Sequence, residues 1–185
     1  RGEFAIWDKF KRCNTALENG ADIVIELPCV YSLMSAEGFA KAGVTLIEKT
    51  GIIDEIAFGA ECDDIGKLKK IADKIDKSHE LIKEEMKSGI SYPAARKNVI
   101  GDDLLDTPNN ILAIEYLRHT YLPAKAVKRI GKGHDTDDEL FSASAIRETL
   151  NKDNICSMKN CEKAILARLR TMSAEDFAQI EDVNE

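Results

Sequence analysis

The chain has 185 residues, 44% hydrophobic and 32% charged, with 26 Lys and Arg against 33 Asp and Glu, a net charge of −7. That composition fits one medium globular domain, with or without a short helical extension, and excludes a disordered chain. It also makes the chain a poor non-specific nucleic-acid binder, because affinity for phosphates comes from clustered Lys and Arg; any RNA contact must rest on local basic patches or on segments outside this stretch.

In chain order, residues 5–17 space their apolar side chains three and four apart and stop before Gly20, which predicts a helix. Residues 22–27 form a short β-branched run ending at Pro28 and predict a buried strand. Glu26 inside that run is then a buried carboxylate in need of a partner. Ser35 is placed to cap the next helix, with Glu37 in its first turn near the positive end of the macrodipole. That helix carries Phe39, Ala42, Val44, Leu46 and Ile47 and ends near Gly51. A second strand is expected over 53–58, with Gly59-Ala60-Glu61 as its exit turn. The charged stretch from Asp63 to Gly89 has apolar residues at Ile65, Leu68, Ile71, Ile75, Leu81, Ile82 and Met86, which predicts one long amphipathic helix or two with a break near Ser78. Its Lys and Glu residues form a solvated face.

Ser91-Tyr92-Pro93 starts a further helix, with Pro93 near the first turn, where its missing N–H costs little. Thr107-Pro108-Asn109-Asn110 repeats the device before Ile111 to His119. A third strand is expected over 124–130, a loop over 131–138, and a short helix from Ser142 through Leu150. Residues 156–184 are helical in pattern, with a capping box at Ser173 to Asp176. The five cysteines, at 13, 29, 62, 156 and 161, are odd in number and scattered, which argues for idle thiols in a reducing cytosol rather than a disulfide framework. No His lies near Cys156 and Cys161, so no zinc site is expected there. No apolar run approaches the roughly 20 residues that cross a bilayer, and no signal peptide is visible. The expected location is the cytoplasm.

Alternation of strands and helices implies a parallel sheet covered by helices on both faces. Three strands are few for that architecture, and the start at Arg1 rather than Met reads as a fragment with strands missing upstream. In open sheets of this kind ligands gather at the carboxyl ends of the strands. Those ends are Glu26-Leu27-Pro28, Gly59-Ala60-Glu61 and Arg129 through His134, with Ser142-Ala-Ser-Ala-Ile-Arg147 following. Two hydroxyls at a helix N-terminus, with an Arg one turn on, form a natural anion site. Each feature has a plainer reading as well. Ser142 can be an ordinary N-cap, Gly59 a turn residue, Asn109 and Asn110 a helix start, His134 a loop residue and Arg129 a solvated charge. No triad, dyad or metal cluster is recognisable.

Six segments in register change that balance: Arg1-Gly-Glu3, Ile23-Val-Ile-Glu-Leu-Pro28, Phe58-Gly-Ala-Glu61, Ser91-Tyr-Pro93, Pro108-Asn-Asn-Ile-Leu112 and Ser142-Ala-Ser-Ala-Ile-Arg147. Together they resemble the bacterial tRNA(Met) cytidine acetate ligase family, from the first residue to at least Arg147. The resemblance implies a Rossmann-like nucleotidyltransferase α/β core over 1–150, incomplete at its N-terminus, and a helical extension over 151–185. It implies an adenylate-forming enzyme: ATP and acetate give acetyl-adenylate and pyrophosphate, and the exocyclic amine of the wobble cytidine in elongator tRNA(Met) takes the acetyl group. By the same resemblance Gly59, Asn109 and Arg129 match positions that hold ATP. Ser142, Ser144 and Arg147 match a second, phosphate-facing turn. The ATP is expected as its Mg2+ complex, although no carboxylate here is identifiable as the metal's ligand.

The chain also departs from that family. The family begins with a strand and a His-x-Gly-His-type turn that holds the triphosphate; nothing like it precedes Arg1, and His134 does not replace it. Phe4 stands where the family usually has Pro, and the family's basic C-terminal portion is absent. The expectation is therefore an ATP-dependent acetate ligase whose isolated fragment binds ATP weakly and does not turn over. Two alternatives stay open: a nucleotidyltransferase that adenylylates another small acceptor, and a non-catalytic scaffold that kept the fold.

Overall fold

The computed structural model describes residues 5–129 and 158–179. Met34–Arg129 is one compact unit, and the described residues on either side of it are assigned to a second. In that second unit, α1 (Lys9–Glu18) starts where the Asp8 side chain accepts the Lys11 N–H, and its C-cap residue is Asn19, just before Gly20. A short helix, α2, covers Cys29–Leu33.

The run 22–27 forms no strand. A strand is sustained by ladder partners and a covered face, and this run has neither among the described residues: Ile23 is 62% exposed and Val24 and Ile25 are open as well. Glu26 is correspondingly not buried. Its carboxylate lies in the open, 2.8 Å from Lys9 Nζ.

The central unit opens with α3 (Ala36–Lys49), where Ser35 Oγ accepts the Gly38 N–H as expected and Ala40 and Val44 are buried. The first strand of the structure, β1 (Ile56–Ala60), begins three residues later than expected and takes in Gly59 and Ala60. The charged stretch resolves into two helices, α4 (Ile65–Lys77) and α5 (His79–Met86), with the break at Ser78. Helix α4 buries Leu68, Ile71, Ala72 and Ile75, one face at spacings of three and four, and leaves its lysines in solvent. Helix α6 (Tyr92–Ile100) carries Pro93 in its first turn and ends at Gly101, whose φ of 65° is the left-handed cap that favours glycine. Lys74 Nζ donates to the Ile100 carbonyl at 2.7 Å, satisfying an orphan acceptor of that helix end. After a 3-10 turn at Asp103–Asp106 come α7 (Pro108–His119) and β2 (Ala124–Lys128).

The strands pair in parallel, Ile56 opposite Ala124 through Ala60 opposite Lys128. Side chains alternate across them. Phe58, Ala60 and Ala126 belong to the core built on α4 to α7, whose centre is Leu68, Ile75, Ile82 and Ile114. Phe58 stacks on Tyr116 of α7 with ring centres 5.6 Å apart. The opposite side of the pair, with Ala57, Gly59, Lys125 and Val127, is exposed.

A charged cluster is buried among the helices. Glu115 of α7 is 0% exposed. It accepts from Arg96 of α6 and from Arg118, each at 2.7 Å, and Arg118 reaches Asp76 of α4 at 2.8 Å. Burial raises the Glu115 carboxyl, an effect that the two guanidiniums oppose. Such a cluster ties three helices into one register and is strongly disturbed by loss of one member. Beyond the central unit, α8 (Met158–Arg170) and α9 (Ala174–Ala178) follow, the latter entered through the expected capping box between Ser173 and Asp176.

Candidate functional site

The carboxyl edge of the parallel pair meets the N-terminus of α7. The Arg129 N–H donates to the Ala60 carbonyl at 2.9 Å, extending the ladder one step past β2. That step places the Arg129 side chain on the exposed face, with its stem alongside Gly59. A Cβ built on Gly59 would stand 3.5 Å from Arg129 Cγ and 4.0 Å from the Val127 carbonyl oxygen, which is ordinary contact. Gly59 is not among the positive-φ glycines either. Neither backbone angle nor internal packing requires glycine there.

The N-terminus of α7 leaves backbone donors without helical partners. Thr107, its N-cap, supplies no side-chain cap. Glu61, just past β1, takes that role from across the fold. One of its carboxylate oxygens accepts the Asn110 N–H at 2.9 Å, and the other accepts from the Asn109 amide nitrogen at 2.5 Å. Asn110 returns the link, its buried side-chain oxygen accepting the Cys62 N–H at 2.8 Å. Strand exit and helix start are thereby clasped by three hydrogen bonds. Burial acts to raise the Glu61 carboxyl, but the Asn109 amide and then backbone N–H groups outweigh it and hold it below its ordinary value of 4.5.

On its other side Asn109 faces Arg129, whose Nη1 lies 3.5 Å from the Asn109 carbonyl oxygen. Among the described residues, no carboxylate forms an ion pair with Arg129. The Glu61 carboxylate already occupies the positive end of α7, and the Arg129 guanidinium lies on the other side of Asn109. The three residues expected to act together, Gly59, Asn109 and Arg129, are thus brought to one edge. Ser142, Ser144, Arg147 and His134 lie outside the described residues. No group of three or more His, Cys, Asp or Glu able to hold a metal occurs among the described residues.

Sequence reasoning missed two features. The sequence does not show Glu61 capping α7 or Asn110 holding the strand exit, because a cap supplied from 49 residues away leaves no local spacing to detect. The buried Arg96–Glu115–Arg118 cluster was missed as well. Its one visible sign was an acid in the otherwise apolar stretch from Ile111 to Leu117.

Comparison with known proteins yields consistent likenesses. A family profile described as HIGH Nucleotidyl Transferase matches residues 1–185. The tRNA(Met) cytidine acetate ligase of Clostridium kluyveri is 37% identical over 209 aligned positions, covering 96% of this chain and 50% of the relative. That of Fervidobacterium nodosum is 33% identical, covering all of this chain and 53% of the relative. The chain therefore spans about half the length of the curated relatives it matches. Among solved structures, apo Thermotoga maritima TmcAL superposes with a TM-score of 0.80 at 27% identity, over 100% of this chain and 55% of the other. The same protein bound with alpha-thio ATP gives 0.68 at 27% identity, over 91% and 45%.

Proposed function

The chain belongs to the HIGH nucleotidyl transferase family, and from that premise we propose that it carries part of the ATP site of a cytoplasmic tRNA(Met) cytidine acetate ligase. The observation that supports this most is the meeting of Gly59, Asn109 and Arg129 at the carboxyl edge of the parallel strands, where this class of sheet binds its ligands. The likeness to a protein with an ATP analogue bound, and to relatives named for this ligation, favours the same reading.

In the proposed reaction an acetate oxygen attacks the α-phosphorus of ATP, the bond to pyrophosphate breaks, and acetyl-adenylate forms. The exocyclic amine of the wobble cytidine in elongator tRNA(Met) then attacks the acyl carbon, AMP leaves, and the amine gives up a proton. Such chemistry depends on placing reactants and neutralising phosphate charge. Arg129 supplies a cation for the phosphates, accompanied by Mg2+ on the nucleotide. Gly59 leaves the strand backbone open to close approach, and Asn109 hydrogen-bonds the nucleotide. Ser142, Ser144 and Arg147 form a second phosphate-facing turn in this proposal. Residues 1–150 act as the nucleotidyltransferase part and 151–185 as a helical extension.

The test is acetate-dependent exchange of labelled pyrophosphate into ATP by the protein that contains this chain, followed by acetyl transfer to tRNA(Met). Exchange that needs acetate and falls at least tenfold in Arg129→Ala supports the proposal, roughly the loss expected for one charge-assisted phosphate contact. Exchange driven by a different acid, with acetate inert, would assign the chain to another acceptor.

A further inference from the structure

Asn109 is held between two groups of opposite hydrogen-bonding character. An ionised carboxylate can only accept, and a guanidinium can only donate. Glu61 lies on one side at 2.5 Å and Arg129 on the other at 3.5 Å. Only one orientation of the Asn109 amide satisfies both, with its nitrogen toward Glu61 and its oxygen toward Arg129. The choice between amide rotamers, which for an isolated Asn is nearly free, is therefore made by Glu61.

We propose that Glu61 is a positioning residue for nucleotide binding: it locks the amide of Asn109 and, through that amide, orients the guanidinium of Arg129, whose side-chain stem runs alongside Gly59. This inference rests on the ATP-site reading above and names a residue that reading does not use. Glu61 itself has both oxygens engaged, one on Asn109 and one on the Asn110 N–H, so its effect on a ligand passes through its partners. A carboxylate beside a phosphate site is otherwise an electrostatic disadvantage. Here it is justified by the acceptor-only character that a glutamine lacks. With Glu61→Gln, a carboxamide N–H must face either the Asn109 amide nitrogen or the Asn110 N–H, both donors, and the lock is lost.

A purely structural role for Glu61 runs through the Asn110 N–H, which persists whatever residue stands at 109. The positioning role runs through the Asn109 side chain. The two are separated by a double-mutant cycle on ATP affinity in the 185-residue chain, using wild type, Glu61→Gln, Asn109→Ala and the double variant. Thermal unfolding is recorded for each, and affinities are taken where all four are folded. Glu61→Gln is expected to weaken ATP roughly tenfold, the size of one charge-assisted hydrogen bond. In the Asn109→Ala background the same change is expected to add less than about twofold. Unchanged affinity in the single variant overturns the proposal. So does an undiminished loss in the double variant, which assigns Glu61 a structural role. Failure of the ATP-site reading looks different: Arg129→Ala and Asn109→Ala then leave affinity as it is in wild type, and both inferences fall together.

Discussion

At Gly59 and Glu61, folding and ligand binding make separable demands. A methyl group at Gly59 meets only ordinary contacts with Arg129 and the Val127 carbonyl, and the backbone there is not left-handed. Gly59→Ala is accordingly expected to change unfolding free energy by less than about 0.5 kcal/mol while weakening ATP, as read by urea titration and calorimetry on the same samples. Loss of stability without loss of affinity would reverse that assignment. Glu61 carries a pH dependence of definite sign. Its folded-state carboxyl is held below the ordinary 4.5, so the stability it contributes is complete above that value and is lost as pH falls through the lowered one. Glu61→Gln is expected to flatten the acid limb of a stability-against-pH curve in that window. A limb of unchanged steepness contradicts the clasp between strand exit and helix start.

Among the elements, α7 has the widest reach, since its first turn faces the site and its middle holds the buried charges. Removing Glu115 leaves two guanidiniums, Arg96 and Arg118, near each other without their shared counter-charge. Glu115→Ala is expected to cost about 3–5 kcal/mol in denaturant unfolding, and Leu68→Ala in the α4 core about 2–5 kcal/mol. A Glu115→Ala variant within 1 kcal/mol of wild type would show that the cluster contributes little. The helices were legible because their signals are local: Ser35 as a cap, Pro93 and Pro108 in first turns, Ser78 as a break and the three-and-four spacing on α4. The run 22–27 was misread because β-branched content reports suitability for a strand, whereas the ladder partner that makes one is non-local. Glu26, with its expected burial, was misread for the same cause.

Across the whole chain, the resemblance carried by six short segments anticipated the family, and three residues it singles out for ATP, Gly59, Asn109 and Arg129, lie at one strand edge. What it could not convey was the means of holding them. The Glu61 carboxylate and the Asn110 side chain act over 48 or 49 residues of chain, and only the folded arrangement of β1 against α7 joins them. With a net charge of −7 the chain offers phosphate no overall attraction, and in the proposed site the Arg129 guanidinium supplies the cation. Nucleotide binds at this edge in the proposed reading. Its most direct test is an ATP titration of the 185-residue chain followed through assigned backbone amide signals. Progressive shifts are expected at residues 59–62, 109–111 and 129, suppressed in Arg129→Ala. Shifts confined to other segments, or none at an ATP concentration that saturates a weak site, would contradict it.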